Sequence, residues 1–238
     1  MHEAFRPISL VVAFWPTQDF QFPGDLNAFG ERLRQQAPLF SELRISPPGG
    51  PEMQPEWPRL IVLGDERRLA LELAPGKISL RVALNQPASL DQIVDSTHQT
   101  LAPVLAWLAE NFDFRVYRLG TLIQLFCNTR SSANEKIAQY FLQPRALQGQ
   151  PPHEIQLGIL SRVNLYDDVL VNRWLRVRPL RTIDPRRVDF AAQIEVDINT
   201  LPEDTRVKNA RDILDFFLAI ARYLDTQVPL LNDGEFVD

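Results

Sequence analysis

The chain has little of what most catalytic and metal sites require. Its 238 residues include one cysteine, two methionines, three histidines and ten glycines. The glycines form neither a G-x-G-x-x-G nor a G-x-x-x-x-G-K-[ST] loop, so a nucleotide site of those kinds is not expected. A single cysteine excludes an internal disulfide and a cysteine-built zinc site. The longest apolar runs have the length of strands, so no membrane span is expected.

The remaining nucleophile and ligand candidates favour structural roles. Cys127 ends the apolar stretch Leu-Ile-Gln-Leu-Phe-Cys, where a thiol is expected to be buried and unreactive. His2, His98 and His153 are dispersed. Asp95 lies one helical turn before His98 and could orient it, but a surface histidine on a charged helix face is favoured. The sequence therefore predicts no catalytic residue, no metal and no cofactor. It favours a binding protein over an enzyme.

Composition and charge describe an ordinary globular protein. Hydrophobic residues make up 45% and charged residues 23% of the chain, which is enough apolar material for a sizeable core. The net charge of -5 argues against a protein that coats nucleic acid through bulk positive charge. It leaves room for one local basic face. Because the single cysteine suits a reducing compartment, a cytoplasmic location is expected.

The order of predicted elements occurs twice along the chain. A strand, a helix, two or three strands joined by tight turns and a long closing helix span roughly residues 8 to 112, and the same order returns from roughly 115 to 226. We therefore predict an α+β fold with duplicated β-α-β-β-β-α units, a mainly antiparallel sheet and a pseudo-twofold axis. The units would be residues 1–112 and 113–238, packed as one body.

Helix boundaries are the clearest local signals. Ser89 and Gln92 have the spacing of a capping box ahead of an amphipathic stripe. Asp25 is in position to cap an earlier helix that Pro38 would close. The segment from Pro202 to Thr205 is expected to begin the last helix.

The strongest functional signal is a cluster of arginines. The candidate binding residues are Arg173, Trp174, Arg176, Arg178, Arg181, Arg186 and Arg187. Arginine binds phosphate through paired donors, and an aromatic side chain among arginines can stack on a base, so one interpretation is an anion- or nucleic-acid-binding strip. The other is pairing across a hairpin with carboxylates on one face of the next strand. Those carboxylates are Asp189, Glu195 and Asp197.

Three apolar segments carry a resemblance to a known group of proteins. They are Pro7 to Phe14, Arg118 to Leu125 and Ala210 to Leu224. In these segments the chain resembles a sporadically distributed family of uncharacterised bacterial proteins of roughly this length. It departs from that family at Leu122 to Asn128, where a more aromatic stretch is expected. The resemblance implies no catalytic residues, and it suggests an accessory role in mobile or defence-related islands.

A second likeness concerns layout only. The chain is similar in size and order to tandem ferredoxin-like RNA-processing proteins of bacterial adaptive immunity, although their Gly-rich C-terminal loop is missing. Three hypotheses therefore stand. The first is a non-enzymatic binding or regulatory protein with a protein partner. The second is RNA binding or processing through the arginine cluster. The third is a subunit of a larger assembly, anchored by Trp174 and Trp57.

Overall fold

The computed structural model describes residues 4–22, 24–46, 54–129, 132–142, 155–165, 169–180 and 191–232. Within these ranges the chain forms nine strands and four helices. The strands are β1 (Arg6–Pro16), β2 (Phe40–Ile45), β3 (Leu60–Gly64), β4 (Leu69–Leu73), β5 (Ile78–Ala83), β6 (Val116–Asn128), β7 (Leu157–Asn164), β8 (Leu170–Pro179) and β9 (Ala191–Thr200). The helices are α1 (Leu26–Gln36), α2 (Leu90–Asn111), α3 (Ala133–Phe141) and α4 (Ala210–Asn232).

All nine described strands belong to one sheet. Their spatial order is β2-β3-β4-β5-β1-β6-β9-β8-β7, and each neighbouring pair is antiparallel. The prediction of an α+β protein with a mainly antiparallel sheet is therefore confirmed. Strands β1 and β6 pair at the centre, with Val11 opposite Leu122. Each of them also pairs with the last strand of the meander that follows it, β5 and β9 respectively.

The described helices lie on one face of this sheet. Helix α2 packs on β1 and β5 and against α4, which contacts β6, while α1 covers β2 and β3 and α3 covers β8 and β9. Strand side chains alternate between faces, so every second residue points toward the helices. Leu10, Val12 and Phe14 of β1 do so and are almost fully buried, as are Ile123 and Leu125 of β6. The other face carries no described helix, and we call it the open face.

The helix caps follow the sequence signals at two of the three places. Asp25 accepts a hydrogen bond from the Ala28 backbone, and Ser89 and Gln92 form the capping box at the start of α2. Both predictions are confirmed. The expected start of the last helix at residues 202–205 is wrong. The cap of α4 is Asn209, whose Oδ1 accepts from the backbone N–H groups of Arg211 and Asp212.

One strand was not predicted at all. The sequence predicted a helix that Pro38 would close and no element directly after it, but Phe40–Ile45 forms the edge strand β2. Its Glu42 and Arg44 form an ion pair at 2.8 Å. A strand with such charged residues lacks the apolar pattern by which buried strands are recognised. None of the helices in the ranges given above is long and apolar enough to span a membrane.

Candidate functional site on the open sheet face

The open face carries a hydrogen-bonded network that crosses four strands, and we call it the open-face network. It comprises Ser9 of β1, Gln124 of β6, Gln193, Glu195, Asp197 and Asn199 of β9, and Arg176 and Arg178 of β8. Strand register explains why these residues meet. Gln124 lies directly opposite Glu195, and Glu195 lies directly opposite Arg176. Residues opposite one another in antiparallel strands place their side chains on the same face.

Glu195 is the centre of the open-face network. Its Oε1 accepts hydrogen bonds from Arg178 Nη2 at 3.0 Å, Gln124 Nε2 at 3.1 Å and Gln193 Nε2 at 3.3 Å. Gln124 in turn accepts a bond of 2.6 Å from the Ser9 hydroxyl. Only 15% of the Glu195 side chain is exposed. Burial of a carboxylate without hydrogen-bond donors would be costly in free energy, and the three donors remove this cost. Glu195 in turn fixes the positions of the side chains that donate to it.

Arg176 and Asp197 continue the network toward the outer strands. Arg176 Nη2 donates to Asp197 Oδ2 at 3.5 Å, and its Nη1 lies 3.9 Å from Glu195 Oε2. Asp197 also accepts a bond from Asn199 Nδ2 at 2.5 Å. The guanidinium carbon of Arg176 lies 5.4 Å from the centre of the Trp174 ring, within cation–π range. These contacts hold Trp174 beside a charge-balanced surface.

The arginine cluster is thus divided by the structure. Trp174, Arg176 and Arg178 share the open face, as the sequence predicted, and the two arginines pair with Glu195 and Asp197 as the hairpin interpretation required. Arg181, Arg186, Arg187 and Asp189 lie outside the described residues. Whether the cluster also binds an anion stays a prediction.

Arg173 lies on the other face of the sheet from Trp174, Arg176 and Arg178. Its guanidinium donates to Tyr223 Oη at 2.7 Å and to Gln227 Oε1 at 3.4 Å, both on α4, and its Nε donates to Ser161 Oγ at 3.1 Å. The reason is strand alternation, since 173 is odd where 174, 176 and 178 are even. Arg173 therefore ties the sheet to a helix on the covered face.

Sequence reasoning missed a second aromatic position on the open face. The Trp15 ring at the end of β1 lies 4.5 Å from the Arg118 guanidinium and 5.5 Å from Lys77 Nζ, and its Nε1 donates to Glu56 at 3.3 Å. The ring lies beside Gly120, where a Cβ would be 3.4 Å from it, an ordinary contact distance. The partners of Trp15 are distant in sequence, so its contacts could not be predicted from neighbouring residues. Only the alternation of side chains along β1 could have indicated which face Trp15 occupies.

A cavity of about 270 Å³ lies beside the first turns of α4, below the ends of β7 and β8. Its lining is mainly apolar by area, and three of its charged residues, Asp204, Arg206 and Lys208, form ion pairs with one another. Asp204 is bonded to Arg206 at 2.8 Å and to Lys208 Nζ at 3.2 Å. The hydrogen bond from Arg206 is the main reason that the pKa of Asp204 falls to about 2. Because Lys208 also donates to the Tyr117 carbonyl, this cluster fastens the connection before α4 to β6.

The other candidate residues have structural positions. Cys127 is 2% exposed and faces the helices, as predicted. His98 is half-buried on α2, whereas His2 and His153 fall outside the described residues. Across the described ranges, no group of three or more histidine, cysteine, aspartate or glutamate side chains is arranged to hold a metal ion.

Comparisons with known proteins add little to this geometry. No protein-family model matches the chain, and no curated protein matches it. Among solved structures it is similar to a rolling circle replication initiator protein from Geobacillus stearothermophilus. That match covers 90% of this chain and 79% of the other, with 12% sequence identity and a TM-score of 0.28. A likeness at this level carries no argument about function.

Proposed function

We propose that the protein is a non-enzymatic binding protein that holds a protein partner on its open sheet face. The observation that carries the proposal is Trp174, exposed by 36% and set beside the open-face network. Tryptophan and arginine are enriched among the residues that dominate protein–protein interfaces. Trp174 lies directly opposite Leu160, which is 51% exposed, so two apolar side chains adjoin on neighbouring strands.

The charges of this surface support a protein partner. Each arginine that faces the network contacts a carboxylate there, so the surface is polar but close to neutral. The internal hydrogen bonds also fix the side chains before any partner arrives, which reduces the entropy lost on binding. A rigid, mixed surface with a tryptophan at its edge suits a folded protein of similar mixed polarity.

The non-enzymatic part of the proposal rests on how the reactive groups are used. Glu195 accepts three hydrogen bonds, and Asp197 is engaged by Arg176 and Asn199. Cys127 faces the helices. Carboxylates held in this way are supports for neighbouring side chains, and the thiol is remote from the open face.

We further propose that the chain is two copies of one module related by a pseudo-twofold axis between β1 and β6. Each half begins with a central strand, continues with a helix and a meander, and ends with a long helix. In each half the first strand pairs with the last strand of its meander. The first half has four strands after its helix and the described second half has three, so β2 would be an addition to the module.

RNA binding through Trp174, Arg176 and Arg178 is the second candidate. In its favour, the two arginine side chains are 44% and 50% exposed, and stacking on an exposed tryptophan suits single-stranded nucleic acid. Glu195 and Asp197 weigh against it, since they balance the positive charge that phosphate binding requires. Membership of a larger assembly, or an accessory role in a defence island, is compatible with the first proposal.

The test is to capture the tagged protein from its native cell, identify what is bound, and repeat the binding with purified components. Trp174→Ala is compared with Leu230→Ala, which removes an apolar side chain that is 59% exposed on α4, on the other side of the sheet. We expect the first variant to lose the partner and the second to keep it. Retention of the partner by Trp174→Ala, or recovery of RNA alone from the wild type, would contradict the proposal.

A further inference from the structure

Strand β7 is an outer edge of the sheet, and its free backbone groups can be identified. Leu165 N–H donates to the Val169 carbonyl at 2.8 Å, where these two residues lie opposite each other. Hydrogen-bonded and non-bonded pairs alternate along an antiparallel ladder. The alternate residues therefore turn their N–H and C=O groups away from β8. They are Gly158, Leu160, Arg162 and Asn164, and none has a backbone hydrogen bond across this edge to another described residue.

Within the described residues, the opposite edge of the sheet, β2, has features that protect it from pairing, whereas β7 has none of them. Strand β2 has six residues, a register shift between Phe40 and Glu42, and the charged pair of Glu42 and Arg44. Bulges, charges and short length are the usual means by which proteins keep sheet edges from pairing. Strand β7 has eight residues, no proline and no register shift. Its one charged residue, Arg162, is already paired with Glu203 at 2.9 Å.

Apolar side chains are exposed on both faces of this unprotected edge. Leu160 is 51% exposed on the open face, and Ile159 is 46% exposed on the covered face. Another strand alongside β7 would bury part of both, and it would satisfy the outward backbone groups at the same time. Exposed apolar residues beside unpaired backbone donors and acceptors are the requirements for strand addition.

We propose that the occupant of this edge is β7 of a second copy of the chain, paired antiparallel about a twofold axis that passes between the two Leu160 residues. Outward-facing residues must oppose outward-facing residues, and this register allows it. Leu160 meets Leu160 of the second copy, and Gly158 meets Arg162 on either side. Three facing pairs exchange about six hydrogen bonds.

This register also suits the charges and the shapes of the side chains. Each Arg162 opposes a glycine, so the two arginines lie well apart and each keeps its bond to Glu203. Glycine leaves room for the arginine stem. The open faces of the two copies become one surface, on which the exposed side chains run from Trp174 through both Leu160 residues to the second Trp174. The competing outcome is that a segment of a different protein, and not a second copy of the chain, pairs with β7.

The test begins with the mass of the full-length protein by light scattering over about 1 to 100 µM, because dimerisation responds to concentration. We expect a dimer that dissociates on dilution. Leu160→Pro removes an outward N–H and no bond to β8, and proline is tolerated on the solvent side of edge strands. It should give a monomer with an unchanged far-ultraviolet spectrum. Leu160→Lys, which places two cations together at the axis, should also be monomeric and serves if the proline variant does not fold.

The register is tested by oxidation of single-cysteine additions. Facing residues of a hydrogen-bonded pair have Cα atoms about 5.5 Å apart, which lies within the range that a disulfide spans. Leu160→Cys should therefore cross-link to itself, while Ile159→Cys, which opposes Ser161 of the second copy, should not. Cys127 is buried and provides the same background in both variants.

Two results would overturn the proposal. One is a wild-type protein that remains monomeric at the highest concentration, which would leave the edge to a different protein. The other is a dimer that persists in both Leu160→Pro and Leu160→Lys, which would place the contact elsewhere. The proposal does not rest on the proposed function, because partner binding is judged from Trp174→Ala and dimerisation from mass.

Discussion

Arg178 and Glu195 meet across the β8–β9 pair, where Arg178 Nη2 donates to Glu195 Oε1 at 3.0 Å. Half of the arginine side chain is exposed but only 15% of the glutamate, so the bond joins the solvent surface to the interior of the open-face network. The same carboxylate accepts from Gln124, which links it to the central strands. Because Gln124 also accepts from Ser9 of the first half, this chain of bonds joins the two halves through side chains as well as through the sheet.

A double-mutant cycle should detect this connection. Glu195→Gln and Arg178→Gln are expected to show a coupling free energy of about 0.5–1 kcal/mol in urea unfolding, a modest value because the arginine is half exposed. Arg178 and Glu203 have no contact and supply the control cycle, which should be additive. A coupling near zero for the first pair would mean that Glu195 does not organise the network.

Substitution of two glycines by alanine should lower the free energy of unfolding by different amounts. A Cβ at Gly64 would lie 2.0 Å from the Leu39 carbonyl oxygen, which is backbone, whereas at Gly120 it would lie 2.4 Å from the Asn199 side-chain oxygen. Backbone at the turn before β2 cannot yield cheaply, so we expect Gly64→Ala to lower the free energy of unfolding by about 2–3 kcal/mol. Gly120→Ala should lose about 1 kcal/mol as Asn199 rotates away from Asp197. Equal losses in chemical denaturation would contradict this ranking.

Asp204 gives a prediction about pH. The hydrogen bond from Arg206 lowers the pKa of Asp204 from 3.8 to about 2. A lowered pKa means that the ionised form stabilises the fold above about pH 4 and that this contribution fades as the pH falls toward 2. Asp204→Asn should therefore be less stable than the wild type at pH 7 by about 1–2 kcal/mol.

The difference in stability between the wild type and Asp204→Asn, measured by thermal unfolding, should shrink as the pH is lowered from 5. Asp19, in the exposed connection after β1, offers a matched change: Asp19→Asn removes a carboxylate that has no ion pair within the described residues. It should change stability little. A difference between wild type and Asp204→Asn that is constant with pH would show that the ion pairs of Asp204 are not its source.

The contribution of the N-terminal cap of α2 to stability can be tested by a similar comparison. Ser89 Oγ accepts from the Gln92 backbone, and Gln92 Oε1 accepts from the Ser89 backbone. Ser89→Ala should cost about 1 kcal/mol in the free energy of unfolding. Ser96→Ala, the same substitution in the middle of the helix, should be neutral or slightly stabilising because alanine has the higher helix propensity. Equal effects at both positions would rule out a cap-specific contribution.

The sequence allowed much of the fold to be predicted, because caps and strand alternation are local signals. Ser89 and Asp25 mark helix starts by chemistry that involves the next three residues only. Strand β2 was missed for the opposite reason. Its polar residues, such as Glu42 and Arg44, are what an edge strand needs, and they remove the apolar pattern that identifies buried strands.

The candidate site was predictable in part for the same physical reason. The pairing of Arg176 and Arg178 with Glu195 followed from neighbouring strands joined by one hairpin. Ser9 and Gln124 are 115 residues apart, so their place in the open-face network depends on the pairing of β1 with β6. Arg173 was grouped with the cluster by closeness in sequence. Strand alternation places it on the other face.

The most direct test of the central claim is the affinity of the purified partner, measured by calorimetry, for the wild type and for Trp174→Ala and Leu230→Ala. If the partner binds on the open face, loss of the Trp174 ring should raise Kd at least about tenfold, equivalent to about 1.4 kcal/mol, and loss of the Leu230 side chain should leave it unchanged. A Kd that is the same for all three proteins, or that rises only with Leu230→Ala, would contradict the account.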